Sequence, residues 1–237
     1  MKKQKEITIF STFAKDKIID RKTGVINIKR GGPAFYLSNV FNKEKVPFTI
    51  ISTSRAEIEI LITSSGEVGK VKKKPKIQKI NFSRIKTPFI VISTILNDFI
   101  FDNVASYKGK IFLDIQGYVR DGRRLGGKKI FSPSREITSS IFCLKGTKKE
   151  LRYIPKTWFE QQKRKILIIT KGELGCEVFV LGRKFKMKVK KKISTLNNIG
   201  AGDVFFAYTI GKFLKTNKFL ESIKYAIEKT SKFLSLK

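Results

Sequence analysis

Four continuous apolar runs limit what this chain can fold into. They span residues 88–94, 110–115, 139–145 and 165–170. Runs of this kind are typical of strands buried on both faces, as in a parallel sheet covered by helices. Each run is followed by a loop rich in Gly, Asn, Ser or Asp, and helical patterns occur at 34–42, 201–215 and 220–234. The sequence therefore predicts an α/β fold with a doubly wound, mostly parallel sheet and helices on both faces.

Two extended segments interrupt this alternation. They lie at about 17–30 and 57–82 and contain the turn sequences Thr23-Gly24 and Ser64-Ser65-Gly66. We expect them to form a small β-layer apart from the main sheet. The 237 residues suit one domain, 1–237, better than two. Because an uncovered sheet face or edge invites pairing, the β-layer also predicts the contact of a possible homodimer.

The formal charge of +32 is the most unusual feature of the composition. A nucleic-acid surface usually concentrates its charge in one stripe and uses many arginines, whereas the lysines here are spread along the whole chain. We therefore expect nucleic-acid binding to be weak and sensitive to salt. A basic nucleic-acid-binding protein stays as an alternative. The charge would also steer anionic substrates such as nucleotides towards the protein.

The residue types restrict the chemistry and the location. Histidine is absent, so acid/base catalysis must depend on a carboxylate, Lys or Tyr. The two cysteines, Cys143 and Cys176, lie in apolar runs and are interpreted as core residues in a reducing compartment. No stretch approaches the roughly 20 apolar residues of a membrane span, so we expect no membrane association and a cytoplasmic location.

The segment 197–205, Asn-Asn-Ile-Gly-Ala-Gly-Asp-Val-Phe, carries the strongest chemical signal. Gly200, Ala201 and Gly202 lead directly into an amphipathic helix, and their amides and the helix dipole can bind a phosphate. Asp203 stands at the helix start, where the dipole is expected to keep it ionised and ready to accept a hydroxyl proton. The alternative is structural: the glycines shape a loop, and Asp203 caps the helix.

Residues 200–203, followed by an apolar and aromatic helix, resemble the signature of the ribokinase-like (PfkB) carbohydrate kinases, Asp-Thr-x-Gly-Ala-Gly-Asp. The resemblance implies that Asp203 is the catalytic base and that Gly200, Ala201, Gly202 and Asp203 form the anion hole. It also implies the ribokinase-like fold, in which the small β-layer is a lid over the acceptor substrate.

Further landmarks occur in the order that this family shows. Gly31-Gly32 before a helix resembles the substrate signature, and Asp16, expected at the end of the first strand, matches the Asp that binds sugar hydroxyls. Thr170-Lys171-Gly172-Glu173-Leu174-Gly175 resembles the nucleotide loop, which implies nucleotide contacts from Thr170, Gly172 and Gly175. Residues 145–150 resemble a stretch with the motif Asn-x-x-Glu that organises Mg²⁺ and phosphates.

Other candidate residues follow from the same comparison. Thr147 and Asn198 are candidates for the nucleotide, and Glu150 is a candidate for Mg²⁺. Asp114 closes a buried strand and is either a magnesium neighbour, acting through water, or a turn-forming residue. Tyr36 is a candidate for the substrate, as is Asn39, which could equally be an exposed helix position.

The loop after Asp114 adds basic candidates. Arg120, Arg123 and Arg124 lie among glycines, where they could hold an anionic substrate or product. The alternative is a solvated basic loop.

Departures from the family pattern refine these expectations. Asn197 and Asn198 replace the usual Asp-Thr, which puts activation by a monovalent cation in doubt, and Thr147 replaces Asn. Tyr36 stands where sugar kinases often place Asn, which argues against ribose. The sequences Gly-Gly-Pro-Ala-x-Tyr and Asp114–Arg120 look like a short archaeal-type branch, for which inositol-like polyols or nucleosides are conceivable acceptors.

The resemblance therefore implies an ATP-dependent kinase that phosphorylates a hydroxyl of a sugar, polyol or nucleoside. ATP and Mg²⁺ are the expected cofactors, and a small polyhydroxy compound is the expected partner. A catalytically inactive, ligand-binding relative is the other alternative.

Overall fold

A computed structural model describes residues 6–63, 66–122, 126–190, 193 and 197–237. Its main sheet has eight strands in the order β14-β13-β12-β11-β10-β8-β1-β4. The last six strands of this order, from β12 to β4, are parallel to one another, and the hairpin β13–β14 adds two antiparallel strands at one edge. The strands are β1 (Ile7–Ser11), β4 (Phe48–Ile51), β8 (Phe89–Ser93), β10 (Lys110–Asp114), β11 (Ile141–Thr147), β12 (Ile166–Thr170), β13 (Cys176–Val180) and β14 (Arg183–Met187).

A second sheet of four strands has the order β3-β2-β5-β6; it contains most of the predicted β-layer and is called the lid below. Its strands are β2 (Ala14–Asp20), β3 (Ile26–Gly31), β5 (Ala56–Thr63) and β6 (Gly66–Lys73). Strands β2 and β5 are parallel, and the two outer strands are antiparallel to them. Two further short strands, β7 (Gln78–Asn81) and β9 (Phe99–Asp102), pair in parallel as a separate sheet.

Helices cover both faces of the main sheet, as the continuous burial of its central strands requires. The helices are α1 (Pro33–Lys43), α2 (Gln116–Val119), α3 (Arg135–Ser140), α4 (Lys156–Lys163), α5 (Ala201–Thr216) and α6 (Phe219–Leu234). On one face Ile9, Val91 and Phe112 pack against α1, α5 and α6. On the other face Ile90 and Leu113 share a core with Trp158 of α4. The prediction of a doubly wound sheet with a small second sheet is confirmed.

The lid joins the main sheet through two neighbouring strands. Strand β1 ends at Ser11 and β2 starts at Ala14, while β4 ends at Ile51 and β5 starts at Ala56. The pair β1–β4 is parallel in the main sheet, and the pair β2–β5 is parallel in the lid. Thr12, in the first connection, is fixed by a short hydrogen bond from its hydroxyl to the buried carboxylate of Asp98.

Three details differ from the expectations drawn from the sequence. Asp16 lies in β2 of the lid rather than at the end of the first strand, because the chain continues into β2 after only two residues. Residues 78–81 pair with β9 and do not join the lid. Helix α4 was not predicted from the sequence; it begins directly after Pro155 and buries Trp158.

Cys143 and Cys176 are both buried and unbridged, as expected. Within the described ranges no helix is long and apolar enough to span a bilayer.

Candidate active site

A cavity of about 310 Å³ lies between the lid, the start of α5 and the carboxyl ends of the central strands. Ligands of open α/β sheets bind at this edge. The lid gives the cavity apolar side chains, including Ile58 and Ile60, and the opposite wall is polar. The ionisable lining residues are Asp16, Arg120, Lys145 and Asp203. The predicted catalytic and substrate residues Gly32, Tyr36, Gly200 and Gly202 and the predicted nucleotide residue Asn198 also line the cavity.

Asp203 is held at the centre of the polar wall. It is in the first turn of α5, and its Oδ1 accepts a hydrogen bond of 3.2 Å from Ser93 Oγ at the end of β8. Burial raises the pKa of Asp203 to about 6, although the Lys145 ammonium opposes the rise. The helix dipole was expected to keep this carboxylate ionised, but desolvation is the larger effect. At neutral pH the group is still mostly a carboxylate, and its pKa suits a general base.

The start of α5 offers two amide donors to a ligand. Gly200, the N-cap, has a positive φ of 78°, and the ring of Tyr36 packs so closely on it that a side chain there would overlap the ring. The Ala201 amide was expected to face the anion, but it donates to Asn198 O at 3.0 Å. In the part of the chain that the structure describes, the amides of Gly202 and Asp203 have no protein acceptor. These two first-turn amides can bind an anion.

Lys145 lines the cavity and was not among the site residues predicted from the sequence. It lies on β11 and is only 6% exposed; its Nζ forms an ion pair of 2.5 Å with Asp114 on the neighbouring strand β10. A methyl group added at Gly202 would lie 3.2 Å from Lys145 Nζ, so the ammonium adjoins the anion hole. Burial alone would lower the pKa of Lys145, but the charges of Asp114 and Asp203 raise it above its usual value. Lys145 therefore stays a cation in this site.

Asp16 faces the cavity from the lid. The residue is 3% exposed, and its Oδ1 has no hydrogen-bond partner within the described ranges. Burial raises the pKa of Asp16 to about 6. Gly31 on β3 pairs with Ala14 in the register, and a side chain at Gly31 would overlap the Asp16 carboxylate. Gly32 has a φ of 82°, which favours glycine, and a methyl group there would lie 2.5 Å from Thr12 O. The two glycines thus make room for Asp16 and for the tight turn into α1.

Arg120 follows α2 and reaches the cavity from the side. Its Nη1 donates to Ile95 O at 3.0 Å, while its Nε is buried without a partner. Burial lowers the pKa of Arg120, and the charges of Glu150, Asp203 and Asp114 offset part of the effect. Arg123 and Arg124, predicted in the same loop, lie outside the described residues.

The remaining substrate candidates separate into two groups. Tyr36, Asp16 and Ile199 border both the main cavity and an adjoining one of about 450 Å³, which is also lined by Lys29 and Arg30. Asn39 is exposed on α1 and lines neither of these cavities. The structure therefore brings Tyr36 to the site but not Asn39.

The nucleotide candidates other than Asn198 lie outside the two cavities. Thr170 closes β12, and its hydroxyl donates to Gly146 O at 3.4 Å. Gly172 has open space beside it, whereas Gly175 packs so closely on the backbone of Met187 that no side chain would fit. Thr147 is engaged with Glu150: its amide donates to Glu150 Oε2 at 2.8 Å, and its hydroxyl accepts from the Glu150 amide at 3.1 Å.

The two magnesium candidates already have cationic partners. Asp114 pairs with Lys145, and the buried Glu150 lies 3.4 Å from Lys128 Nζ. Burial would raise the pKa of Glu150, but the Thr147 amide and Lys128 lower it, so this group is a carboxylate. Within the described ranges no group of three or more potential ligand side chains could hold a metal ion. The assignment of Glu150 to Mg²⁺ and of Asp114 to a contact through water therefore stays a prediction.

Comparison with known proteins identifies the fold. No family model and no curated protein sequence matches the chain. The chain is similar to a solved pyrophosphate-dependent kinase in the ribokinase family, complexed with a pyrophosphate analogue and myo-inositol (TM-score 0.72, 16% identity, 95% of this chain and 93% of the other). It is also similar to the ribokinase of Arabidopsis thaliana complexed with ribose and ATP (TM-score 0.69, 13% identity, 97% and 92%).

A third similar structure is the nucleoside kinase of Methanocaldococcus jannaschii, an archaeal member of the ribokinase family (TM-score 0.65, 13% identity, 97% and 91%). The chain thus has the fold of ribokinase-family kinases over nearly its whole described length, which confirms the fold prediction. The expected archaeal-type branch stays a prediction.

Proposed function

We propose that this ribokinase-fold chain is a kinase that transfers a phosphoryl group to a hydroxyl of a small polyhydroxy compound. The observation that carries the proposal is the convergence of a buried carboxylate, a buried lysine and two free helix-terminal amides on one cavity. A general base and an anion site side by side are what phosphoryl transfer to a hydroxyl requires.

Each group has a distinct task in the proposed reaction. Asp16 accepts a hydrogen bond from one hydroxyl of the acceptor and orients it. Asp203 takes the proton of the reacting hydroxyl, whose oxygen forms a bond to the terminal phosphorus of the donor while the phosphorus–oxygen bond to the leaving group breaks. The amides of Gly202 and Asp203 and the Lys145 ammonium neutralise the transferring phosphoryl group. Mg²⁺, brought with the donor, would neutralise the donor's other phosphates.

The donor is proposed to be ATP, with pyrophosphate as the second candidate. Similar solved kinases are described with ATP in one case and as pyrophosphate-dependent in another. ATP would leave as ADP, and pyrophosphate would leave as phosphate. The groups at Gly202 and Lys145 serve both donors, because both end in the same terminal phosphate.

The test is a screen of sugars, polyols and nucleosides with Mg²⁺ and either donor, with ³¹P NMR to detect new phosphate esters. Phosphorylation of at least one acceptor, absent without the donor, is the expected result. If ligands bind in calorimetry but no ester forms with either donor, the chain is an inactive, ligand-binding relative and the proposal is wrong.

The raised pKa of Asp203 predicts how the rate depends on pH. Asp203 with a pKa of about 6 is protonated on acidification and can no longer accept the hydroxyl proton. We expect kcat/KM to be nearly constant above pH 7 and to fall about tenfold per pH unit below 6. A pH–rate profile over pH 4.5–8 measures this. A rate that does not change down to pH 5 would contradict the assignment of Asp203 as the base.

Acid unfolding is not expected to cause this loss. Asp16, Asp98 and Asp203 each have a pKa of about 6 in the folded protein, above the ordinary value of 3.8 for an aspartate. Between these values the folded protein binds more protons than the unfolded chain, so the contribution of the three groups to stability increases as the pH falls towards 4. Circular dichroism at each pH of the rate profile is therefore expected to report a folded protein near pH 5.

The outer face of the lid supports the predicted homodimer. Ile26, Ile19 and Leu61 form one row across three strands, and Ile26 and Ile28 are 55% and 62% exposed. The same face carries charges of both signs, with Glu59 between Lys17 and Lys70. A two-fold-related copy could therefore cover the apolar row and match the flanking charges.

Light scattering would measure this association. We expect about twice the monomer mass of 27.1 kDa for the native chain and the monomer mass for Ile28→Lys, since a buried lysine opposes the contact. Ile77→Lys, at a 67% exposed position outside the lid strands, is the matched control and should leave the mass unchanged. A native chain that is monomeric at all concentrations would refute the dimer.

A further inference from the structure

Arg120 is a partly buried cation that has no ion-pair partner among the residues that the structure describes. Of its guanidinium nitrogens, Nη1 has a carbonyl partner and Nε is buried with none. Among the described residues no carboxylate oxygen lies within 4.0 Å of the group. A desolvated charge without a partner is costly, so proteins pair such groups unless a ligand supplies the partner.

The neighbouring carboxylates of the described residues form no ion pair with Arg120, and each of them accepts from another donor. Asp114 accepts from Lys145 Nζ at 2.5 Å and from the Gln116 amide at 3.1 Å. Asp203 accepts from Ser93 Oγ at 3.2 Å. Glu150 accepts from the Thr147 amide at 2.8 Å. The free N–H groups of Arg120 therefore remain available to whatever fills the cavity that Arg120 lines.

The position of Arg120 assigns it to the acceptor side of the cavity. Its one hydrogen bond fastens it to Ile95, which packs in one cluster with Ala56, Ile58 and Ile60 of the lid. The terminal phosphate of the donor already has its own cation, Lys145, beside Gly202. The two cations thus serve two different anions, one at the start of α5 and one under the lid.

We propose that the acceptor is an anionic polyhydroxy compound, with a carboxylate or phosphate group that Arg120 binds. This rests on the proposed kinase function and names its substrate class. Asp16 would then bind one hydroxyl of the acceptor, and Arg120 would bind its acidic group. With the acceptor fixed at these two points, the hydroxyl to be phosphorylated faces Asp203. A guanidinium suits both acids, because its N–H groups match two oxygens at once.

The experiment compares each neutral acceptor with its acidic counterpart. The pairs are glucose and gluconate, for a carboxylate, and ribose and ribose 5-phosphate, for a phosphate. Binding is measured by calorimetry and turnover by ³¹P NMR, with Mg²⁺ and either ATP or pyrophosphate. We expect at least one acidic member to be bound and phosphorylated with a kcat/KM at least about tenfold above its neutral counterpart.

Arg120→Met should remove that preference, lowering kcat/KM about 10- to 100-fold for the acidic acceptor and less than about threefold for the neutral one. Arg120→Lys should keep part of the preference for the acidic acceptor, because lysine keeps the positive charge but lacks the planar guanidinium that donates to two oxygens at once. Arg84→Met, on an exposed arginine that lines neither cavity, is the matched control for the loss of one positive charge.

The possible failures are distinguishable. If Arg120→Met lowers kcat equally for neutral and acidic acceptors, Arg120 acts on the transferring phosphoryl group and the inference is wrong, while the kinase function stands. A native chain that binds neutral acceptors better than acidic ones would also overturn it. Acidic ligands that bind to the native chain and not to Arg120→Met, without any ester formed, would support the acidic site and refute the kinase.

Discussion

Asp203→Asn is expected to lower kcat by about 10³-fold and to leave the fold intact. The amide has nearly the same shape as the carboxylate, and its nitrogen or oxygen can still meet Ser93 Oγ, which now holds Asp203 Oδ1 at 3.2 Å. It cannot accept the proton of the reacting hydroxyl, and a positioned general base contributes about 10²- to 10⁴-fold. Single-turnover kinetics on an acceptor found in the screen would measure the loss, and a melting curve would check the fold.

A second carboxylate provides the matched control for this substitution. Asp102→Asn makes the same chemical change on β9, at a residue that lines neither cavity. We expect its kcat to stay within about twofold of the native value. Near-native turnover by Asp203→Asn would instead mean that Asp203 has only a structural role at the start of α5.

Lys145→Met is expected to damage both the rate and the stability. Without the ammonium beside Gly202, the developing charge on the transferring phosphoryl group loses a neutralising partner, which should lower kcat by about 10²- to 10³-fold. The substitution also leaves the 1% exposed Asp114 without its ion-pair partner. An unpaired buried charge costs about 3–5 kcal/mol, to be measured as a lower free energy of unfolding in urea.

A double variant separates these two effects. Lys145→Met combined with Asp114→Asn removes both charges of the pair, so we expect most of the lost free energy of unfolding to return. The rate should stay low, because the cation at the anion hole is still missing. If the double variant recovered native turnover, Lys145 would be a structural residue only.

The sequence was most informative where the candidate site is built from residues that are adjacent in the chain. Gly200, Gly202 and Asp203 lie next to one another in the sequence, at the start of a helix. Their positions relative to each other could therefore be predicted without knowledge of the tertiary structure. The buried strands were equally predictable, because a run such as residues 166–169 is apolar at every position. The lid was predicted in outline, although residues 78–81 pair with β9 through a register that no local pattern reveals.

Lys145 shows what local patterns cannot supply. It lies near the carboxyl end of an apolar strand, and its partner Asp114 is 31 residues earlier in the chain. The two meet only because β10 and β11 are neighbours with Asp114 opposite Lys145 in the register. One signal was present: each of two buried strands carries a charged residue of opposite sign near its carboxyl end. Charges at such positions need partners, which in a parallel sheet are found on the next strand.

Arg120 and Asp16 were candidates from the sequence, but their surroundings were not foreseen. Only the folded chain shows that the carboxylates near Arg120 are engaged elsewhere and that Gly31 makes room for the Asp16 carboxylate. The raised pKa of Asp203 has the same origin. It depends on the desolvation that the packed structure imposes, whereas the sequence suggested only the helix dipole.

Two short connections, residues 12–13 and 52–55, join the lid to the main sheet, and they lead from two neighbouring parallel strands of one sheet to two neighbouring parallel strands of the other. Asp16 lies near the start of β2, so a rotation of the lid about these connections would move the Asp16 carboxylate relative to Asp203. In the proposed kinase, an acceptor bound to Asp16 would therefore link its own position to that of the apolar lid side chains that exclude water from the cavity.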